Sequence, residues 1–341
     1  MTQAVLIEAT ATSEGKPLVR LGYAPPPRAL GGCPLCRGPL RGSFALCWCC
    51  HRSTSLLGSI PGEKASPCVK RGELPRVLPV SLCAVGDPLH RALRLYKDAP
   101  AIDARNHFTS LVARHLEHFL SRHFGCLQDL AGGCVDALAV VPSTTRGTRS
   151  RSGRGTDPVE WIVRRSQTLS ALQRVRLQRG VETVRHLGPS RAGFEVATQV
   201  RAGTTVVVFD DTWTTGAHAL SAAAALERAG ANVVAILVIG RIIDITAGPD
   251  VANWWRDVVS RAERAEPSGQ CCLSTCKLAG RSAPALSQLP GLDPSSVTAP
   301  GNGRLDVRRS ADPRAEPWCR DRSGPKGYLL PHPIQRPHHR A

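Results

Sequence analysis

The stretch Val206-Val207-Val208-Phe209-Asp210-Asp211-Thr212-Trp213-Thr214-Thr215-Gly216 carries the most pointed chemistry in the chain. A run of β-branched and aromatic residues ends in two adjacent carboxylates. A Thr-Thr-Gly turn follows, and residues 219–230 read as a helix centred on Ala222-Ala223-Ala224-Ala225. Strand, acidic pair, small-residue turn and helix in that order build an anion site. The first N–H groups of a helix lack internal partners, and its dipole favours negative charge beside them. Two carboxylates next to a phosphate would repel it, so Asp210 and Asp211 must serve another part of the ligand, either ribose hydroxyls or a divalent cation. The ligand implied is a sugar phosphate. Helix capping accounts for one acid, but not for two followed by Thr-Thr-Gly.

Cysteines supply the second constellation. Cys33-Pro34-Leu35-Cys36 and Cys47-Trp48-Cys49-Cys50 form two C-x2-C knuckles separated by ten residues, with Gly38, Pro39 and Gly42 placed for a ribbon turn. Four thiolates at this spacing suit tetrahedral Zn²⁺. Cys47 and Cys50 fit the register better than Cys49; His51 is an alternative ligand, but Cys33, Cys36, Cys47 and Cys50 suffice. A module this small buries little core, so bound metal would contribute its folding energy. Residues 1–16 lack the basic start and apolar centre of a secretory signal, so the thirteen cysteines point to metal rather than disulfides and to a cytoplasmic protein.

The segment from Val206 to Gly216 resembles the phosphoribosyl-pyrophosphate (PRPP) signature of type I phosphoribosyltransferases, keeping Asp210, Asp211, Thr214, Thr215 and Gly216. It departs from that signature at Thr212 and Trp213, where small apolar residues are usual, and at His218, where a hydroxyl is common. With the four-cysteine ribbon ahead of it, and with Leu89-His90-Arg91-Ala92-Leu93-Arg94-Leu95-Tyr96-Lys97-Asp98 reading as an amphipathic helix ending in an aromatic–Lys pair, the chain resembles the ComF family. The resemblance spans roughly residues 31–241. It implies an α/β fold of the type I phosphoribosyltransferase kind, a parallel sheet flanked by helices and preceded by a small zinc ribbon.

The resemblance also implies site roles. Asp210 and Asp211 would hold the ribose hydroxyls directly or through Mg²⁺, as the catalytic pair. The amides of Trp213, Thr214, Thr215 and Gly216, with the Thr hydroxyls, would hold the 5′-phosphate. The loop after Val141, beginning at Ser143 and Thr144, is placed like the family's pyrophosphate loop. Arg146, Arg149, Arg151 and Arg154 follow there, able to reach pyrophosphate or DNA, or simply to form a solvated loop. Lys97 either meets a phosphate at its helix end or lies on the surface. Trp213 either packs under the loop or stacks on a ligand. Relatives of this kind are implicated in handling incoming single-stranded DNA, with a helicase and a recombination mediator as partners. Two functions follow: a transferase acting on PRPP, or a non-catalytic PRPP-binding or DNA-handling adaptor. No segment with the character of a hood, which recognises the nucleophile in the transferases, is found.

The elements that must position these residues can be read from pattern. Residues 1–30 show no period and read as an ill-ordered arm; residues 31–55 form the ribbon; proline-punctuated residues 59–79 are a linker. The α/β domain covers residues 77–245. It opens with a strand at 77–85 and a helix at 87–96, with Asp87 as N-cap and Pro88 at the first position. Apolar residues from Ile102 to Leu120 recur at helical spacing, with His107, His115, His118 and His123 on the rim rather than at a metal. Residues 137–142 are a buried strand, residues 157–177 a helix, and residues 181–194 irregular. Residues 204–239 then make one β–α–β unit whose ligand lies beyond the strand ends. Residues 262–341, rich in Pro, Ser, Gly and Arg, read as a disordered tail. No apolar run approaches the ~20 residues of a membrane span. The net charge of +17 favours polyanions, although the excess of Arg over Lys also fits a compositional bias. With only 4% aromatic residues, nucleic-acid binding without PRPP would be mainly electrostatic.

Overall fold

The structure, a computed structural model, describes residues 9–11, 17–19, 21–25, 32–40, 45–58, 75–142 and 157–264. All of them fall in one compact unit. Most of the expected tail, including Cys271, Cys272, Cys276 and Cys319, lies outside the described residues. In chain order the elements are β1 (Ala9–Ala11), β2 (Pro17–Val19), α1 (Trp48–Gly58), β3 (Arg76–Ala84), α2 (Pro88–Asp98), α3 (Ile102–Ala131), β4 (Ala137–Val140) and α4 (Pro158–Arg165). They continue with α5 (Gln167–Ser170), β5 (Gln173–Val175), β6 (Leu177–Arg179), β7 (Phe194–Val196), β8 (Thr205–Trp213), α6 (Ala217–Arg228), β9 (Asn232–Ile243) and α7 (Pro249–Arg264).

The central sheet has five strands in the order β3-β9-β8-β4-β5, and every pair is parallel. Its strands read as continuous apolar runs because both faces are covered. On one face Leu78, Leu138, Val140, Val207, Phe209 and Leu237 pack with Leu89, Leu93, Leu116 and Ile162 of the helices α2, α3 and α4. On the other face Ala137, Ala139, Val206, Val208 and Ile236 pack with Leu220, Ala223 and Leu226 of α6. The four alanines from Ala222 to Ala225 are all buried, and their small side chains let α6 approach the sheet closely. The chain leaving β4 therefore runs to a helix on one face, and the chain leaving β8 to a helix on the other. The crevice where an α/β sheet receives its ligand opens at such a divergence.

Proline at position 79 sits inside β3, a strand rather than a linker, and pairs with Val238. This is tolerated because β3 is the sheet's edge, so a missing N–H breaks no central ladder. The N-terminal arm is more ordered than its composition suggests. β1 and β2 pair antiparallel, Tyr23 exchanges both backbone hydrogen bonds with Leu82 on that same edge (2.9 and 2.7 Å), and Leu21 is buried in the α2/α3 core.

Other boundaries also differ from the pattern. Asp87 precedes α2 with Pro88 at its first position, but its carboxylate accepts from the Ala84 N–H (2.7 Å) rather than from the helix it precedes. The expected single helix over 157–177 breaks at Ser166. There the Ser166 hydroxyl donates to Glu117 (2.5 Å) and accepts from the Leu169 N–H (3.1 Å), restarting the chain as α5, after which β5 begins. α3 runs to Ala131 and stops at Gly132, whose left-handed φ of 69° closes the helix at no side-chain cost. Of its histidines, His123 is buried against Phe119 rather than set on a rim, and His115 hydrogen-bonds the Ser81 hydroxyl at 2.9 Å. Among the described residues no helix is long and apolar enough to cross a membrane.

Candidate functional site

β8 continues through both carboxylates and ends at Trp213. Side chains alternate across a strand. Asp211 therefore follows Val207 and Phe209 toward α2 and α3, and Asp210 follows Val206 and Val208 toward α6. Asp211 is 2% exposed, and one of its oxygens accepts from the Tyr96 hydroxyl and the Lys97 ammonium, each at 2.5 Å. The aromatic–Lys pair at the end of α2 is thus the partner of the second acid. Burial alone would raise the pKa of Asp211, but the Lys97 charge, with the bonds from Lys97 and Tyr96, holds it below the usual carboxylate range. Asp210 goes the other way. Burial and the charge of Asp211 push it well above that range, with Lys97 only partly opposing. Lys97 is partly buried, which disfavours its charge, yet the carboxylate of Asp211 outweighs this and raises its pKa.

Asp210 and Asp211 border a cleft of about 170 Å³, lined also by Lys97, Val141, Pro142, Thr214, Gly216 and Ala217. It lies beyond the ends of β4 and β8, at the N-terminus of α6. Lys97 reaches it as an ion-paired residue rather than as a free surface group. Thr214 borders it, whereas the Thr215 hydroxyl donates to the carbonyl of His186 and so ties the 180–193 segment to the turn. Trp213 is fully buried and packs beneath the turn. Gly216 has φ of 81°, and a Cβ there would lie 2.2 Å from the Trp213 ring, so only glycine fits between that ring and the helix start. Ser143, Thr144, Arg146, Arg149, Arg151 and Arg154 lie outside the described residues.

Two histidines enter the cleft, His186 from the irregular segment and His218 from the first turn of α6. Burial holds both below the ordinary imidazole pKa, and the charge of His186 adds to the effect on His218. His218 was visible as a departure from the signature. Nothing in the sequence marked His186, because it is brought in by the β6–β7 pairing, whose strands are only three residues each.

The four cysteines Cys33, Cys36, Cys47 and Cys50 form the second centre. They are all buried, and their sulfurs lie within 4.8 Å of one another. The first knuckle is closed by Cys33 N–H to the Gly38 carbonyl (2.7 Å) and Arg37 N–H to the Cys33 carbonyl (2.9 Å), with Arg37 at φ of 62°. The second knuckle begins with the Cys47 N–H on the Cys33 sulfur (3.4 Å) and runs straight into α1, so it is a helix start rather than a ribbon strand. Four sulfurs at this separation match the donor set of structural Zn²⁺. Cys49 is only partly buried and His51 is exposed, and neither belongs to the cluster. The cysteines, with Leu35 and Leu57, share one apolar core with Trp213, Val208 and Leu220.

Arg241 joins the two centres. It sits in β9 opposite Trp213 and is 6% exposed. Its guanidinium donates to the carbonyls of Trp213 and Thr214, both at 3.1 Å. Burial disfavours its charge, but the neighbouring Cys36, Cys47, Cys49 and Cys50 outweigh this and raise its pKa. The sequence did carry a signal for it: an Arg inside the apolar run Ala235-Ile236-Leu237-Val238-Ile239-Gly240-Arg241-Ile242-Ile243. Arginine is almost never buried without partners.

No protein-family model matches this chain, and no curated protein matches it.

Proposed function

We propose that this chain binds PRPP in the cleft at the ends of β4 and β8, as a type I phosphoribosyltransferase-like protein that resembles the ComF family. The observation that carries this reading is the junction of β8 with α6. An acidic pair at a strand end stands beside the turn Thr214–Gly216, whose N–H groups find no acceptor among the described residues. A 5′-phosphate fits those donors, and ribose hydroxyls fit Asp210.

Asp210 also suits Mg²⁺, since a cation would relieve the cost of ionising a half-buried carboxyl beside Asp211. When bound, Mg²⁺ would neutralise pyrophosphate charge. Asp211 acts through its ion pair, holding Lys97 at the cleft wall. In transfer, the C1′–O bond to pyrophosphate breaks, with its electron pair leaving on pyrophosphate, and the lone pair of the acceptor forms the new bond to C1′. The carboxylates favour the oxocarbenium character that develops at C1′.

Calorimetric titration of the zinc-loaded protein with PRPP and MgCl₂ tests this reading. Binding is expected, weakened about 100-fold by Asp210→Asn through loss of charged hydrogen bonds. No binding, or unchanged affinity in the variant, would overturn it. The pH dependence has a defined sign. The folded chain holds the Asp210 proton to higher pH than the unfolded chain does, so this group lowers stability as pH rises through the interval between the two pKa values. Cation and PRPP binding favour the charged carboxylate, so affinity is expected to rise with pH until the folded-state pKa of Asp210 is passed, with proton release measurable in buffers of different ionisation enthalpy. Asp210→Asn is expected to flatten both slopes.

A second reading, single-stranded DNA handling by an adaptor, has one specific support. Trp48 on α1 is 48% exposed, and the guanidinium of Arg52 lies 5.4 Å from its ring centre, a pairing that suits base stacking beside phosphate contact. Anisotropy with labelled oligo-dT is expected to show Trp48→Ala weakening binding about tenfold. If that variant binds as tightly as the parent, α1 is not the contact.

A further inference from the structure

We propose that the cysteine centre sets the ligand affinity of the cleft, because donors anchored to it orient the backbone of the phosphate-binding turn. This rests on the cleft's being a phosphate site.

Three consecutive carbonyls of the turn are held from the ribbon side. Arg241 donates to those of Trp213 and Thr214, and the Ser53 hydroxyl donates to that of Thr215 at 3.2 Å. Ser53 lies on α1 one turn beyond Cys50 and is 1% exposed. In a trans peptide the C=O of one residue and the N–H of the next point in opposite directions. Fixing these three carbonyls therefore turns the N–H groups of Thr214, Thr215 and Gly216 away from the ribbon, toward the side where an anion is received. The cysteine centre fixes both donors. Four thiolates on one Zn²⁺ leave net negative charge, and a buried guanidinium needs such a counter-charge. Arg241 packs directly on the first knuckle: a Cβ at Gly38 would lie 2.8 Å from Nη2 and 3.0 Å from Nε. The position of Ser53 is set by the helix that starts inside the second knuckle. Removing the metal frees the knuckles, which loosens both donors and lets the turn's peptide planes rotate.

Ser53 and Arg241 are thus positioning residues; neither touches the ligand. The experiment uses the full chain in five forms: zinc-loaded parent, parent zinc-stripped by chelator, zinc-loaded Ser53→Ala, zinc-stripped Ser53→Ala and zinc-loaded Arg241→Lys. Three quantities are read: zinc content, PRPP–Mg²⁺ affinity, and hydrogen exchange of the Thr214, Thr215 and Gly216 amides. Ser53→Ala is expected to keep full zinc content, lose about fivefold in affinity and exchange faster at those amides, the effect of one hydrogen bond. Arg241→Lys keeps a charge near the thiolates but lacks the planar guanidinium whose single Nη1 serves the carbonyls of both Trp213 and Thr214, and is expected to lose about tenfold. Zinc removal costs more than either, and less in Ser53→Ala than in the parent, since the two act on one turn. Unchanged affinity and unchanged amide exchange in zinc-loaded Ser53→Ala and in zinc-stripped parent would overturn the coupling, even where Arg241→Lys fails to fold. If the parent binds no PRPP, the ligand assignment fails while amide exchange still decides the coupling.

Discussion

Asp211→Asn is expected to lose about 2–3 kcal/mol of folding stability, while its neighbour Asp210→Asn loses none. Removing the charge of Asp211 leaves the Lys97 ammonium, which keeps a minority of its surface in water, against a carboxamide and a buried phenol. The figure sits at the low end for a broken buried pair because of that remaining hydration. Asp210 carries the opposite liability: a carboxyl whose pKa is pushed well up by burial and by the charge of Asp211 gains little from its own charge in the unliganded protein. Urea unfolding of the two variants at neutral pH reads the contrast directly. In Lys97→Met/Asp211→Asn the orphaned cation is gone, and part of the loss is expected to return. Equal destabilisation by the two single variants would show that the acids share one role, contrary to their opposite faces on β8.

Gly216→Ala is expected to be the most damaging single methyl in the cleft. The position has a left-handed φ of 81°, and the new Cβ would fall 2.2 and 2.4 Å from two ring carbons of Trp213. The conformation alone costs about 1 kcal/mol for a residue with a side chain. Displacing a fully buried indole brings the total to about 3 kcal/mol or more, with PRPP binding lost because the helix start moves. Gly216→Ala/Trp213→Phe separates the two causes. A smaller ring relieves the clash but not the backbone angle, so recovery of most of the stability assigns the loss to packing. No recovery assigns it to φ.

Four of the five strands of the sheet were legible because their signals are local; β5 (Gln173–Val175) was not, since it fell inside the helix expected over residues 157–177. The β-branched run before Asp210, the alanine-rich helix after Gly216 and the spacing of Cys33, Cys36, Cys47 and Cys50 need no knowledge of what lies beside them. Boundaries failed where a tertiary contact overrode local pattern. Pro79 reads as a linker residue until β3 is known to be an edge, and residues 157–177 read as one helix until Glu117 takes the hydroxyls of Ser166 and Thr168. The arm read as unstructured because Leu21 and Tyr23 find their partners only on β3 and α2. In the candidate site, both aspartates and Lys97 were visible as residues, but the bond joining Asp211 to Tyr96 and Lys97 was not, since sequence alone does not give the face on which a strand residue points. Ser53 and His186 matter through long-range hydrogen bonds that involve backbone carbonyls and leave almost no compositional trace, whereas Arg241, held the same way, leaves one: a charge inside the apolar run of β9.

The docking of Arg241 on the first knuckle has a consequence for the order of assembly. The knuckles are synthesised early, but their guanidinium arrives with β9, the last strand of the sheet to be made. All four cysteines are in the chain well before that, yet the cluster lacks its neighbouring guanidinium until the sheet closes over it. Completion of the α/β core and burial of the sulfurs therefore coincide, and a chain truncated before β9 would carry an open, oxidisable cluster.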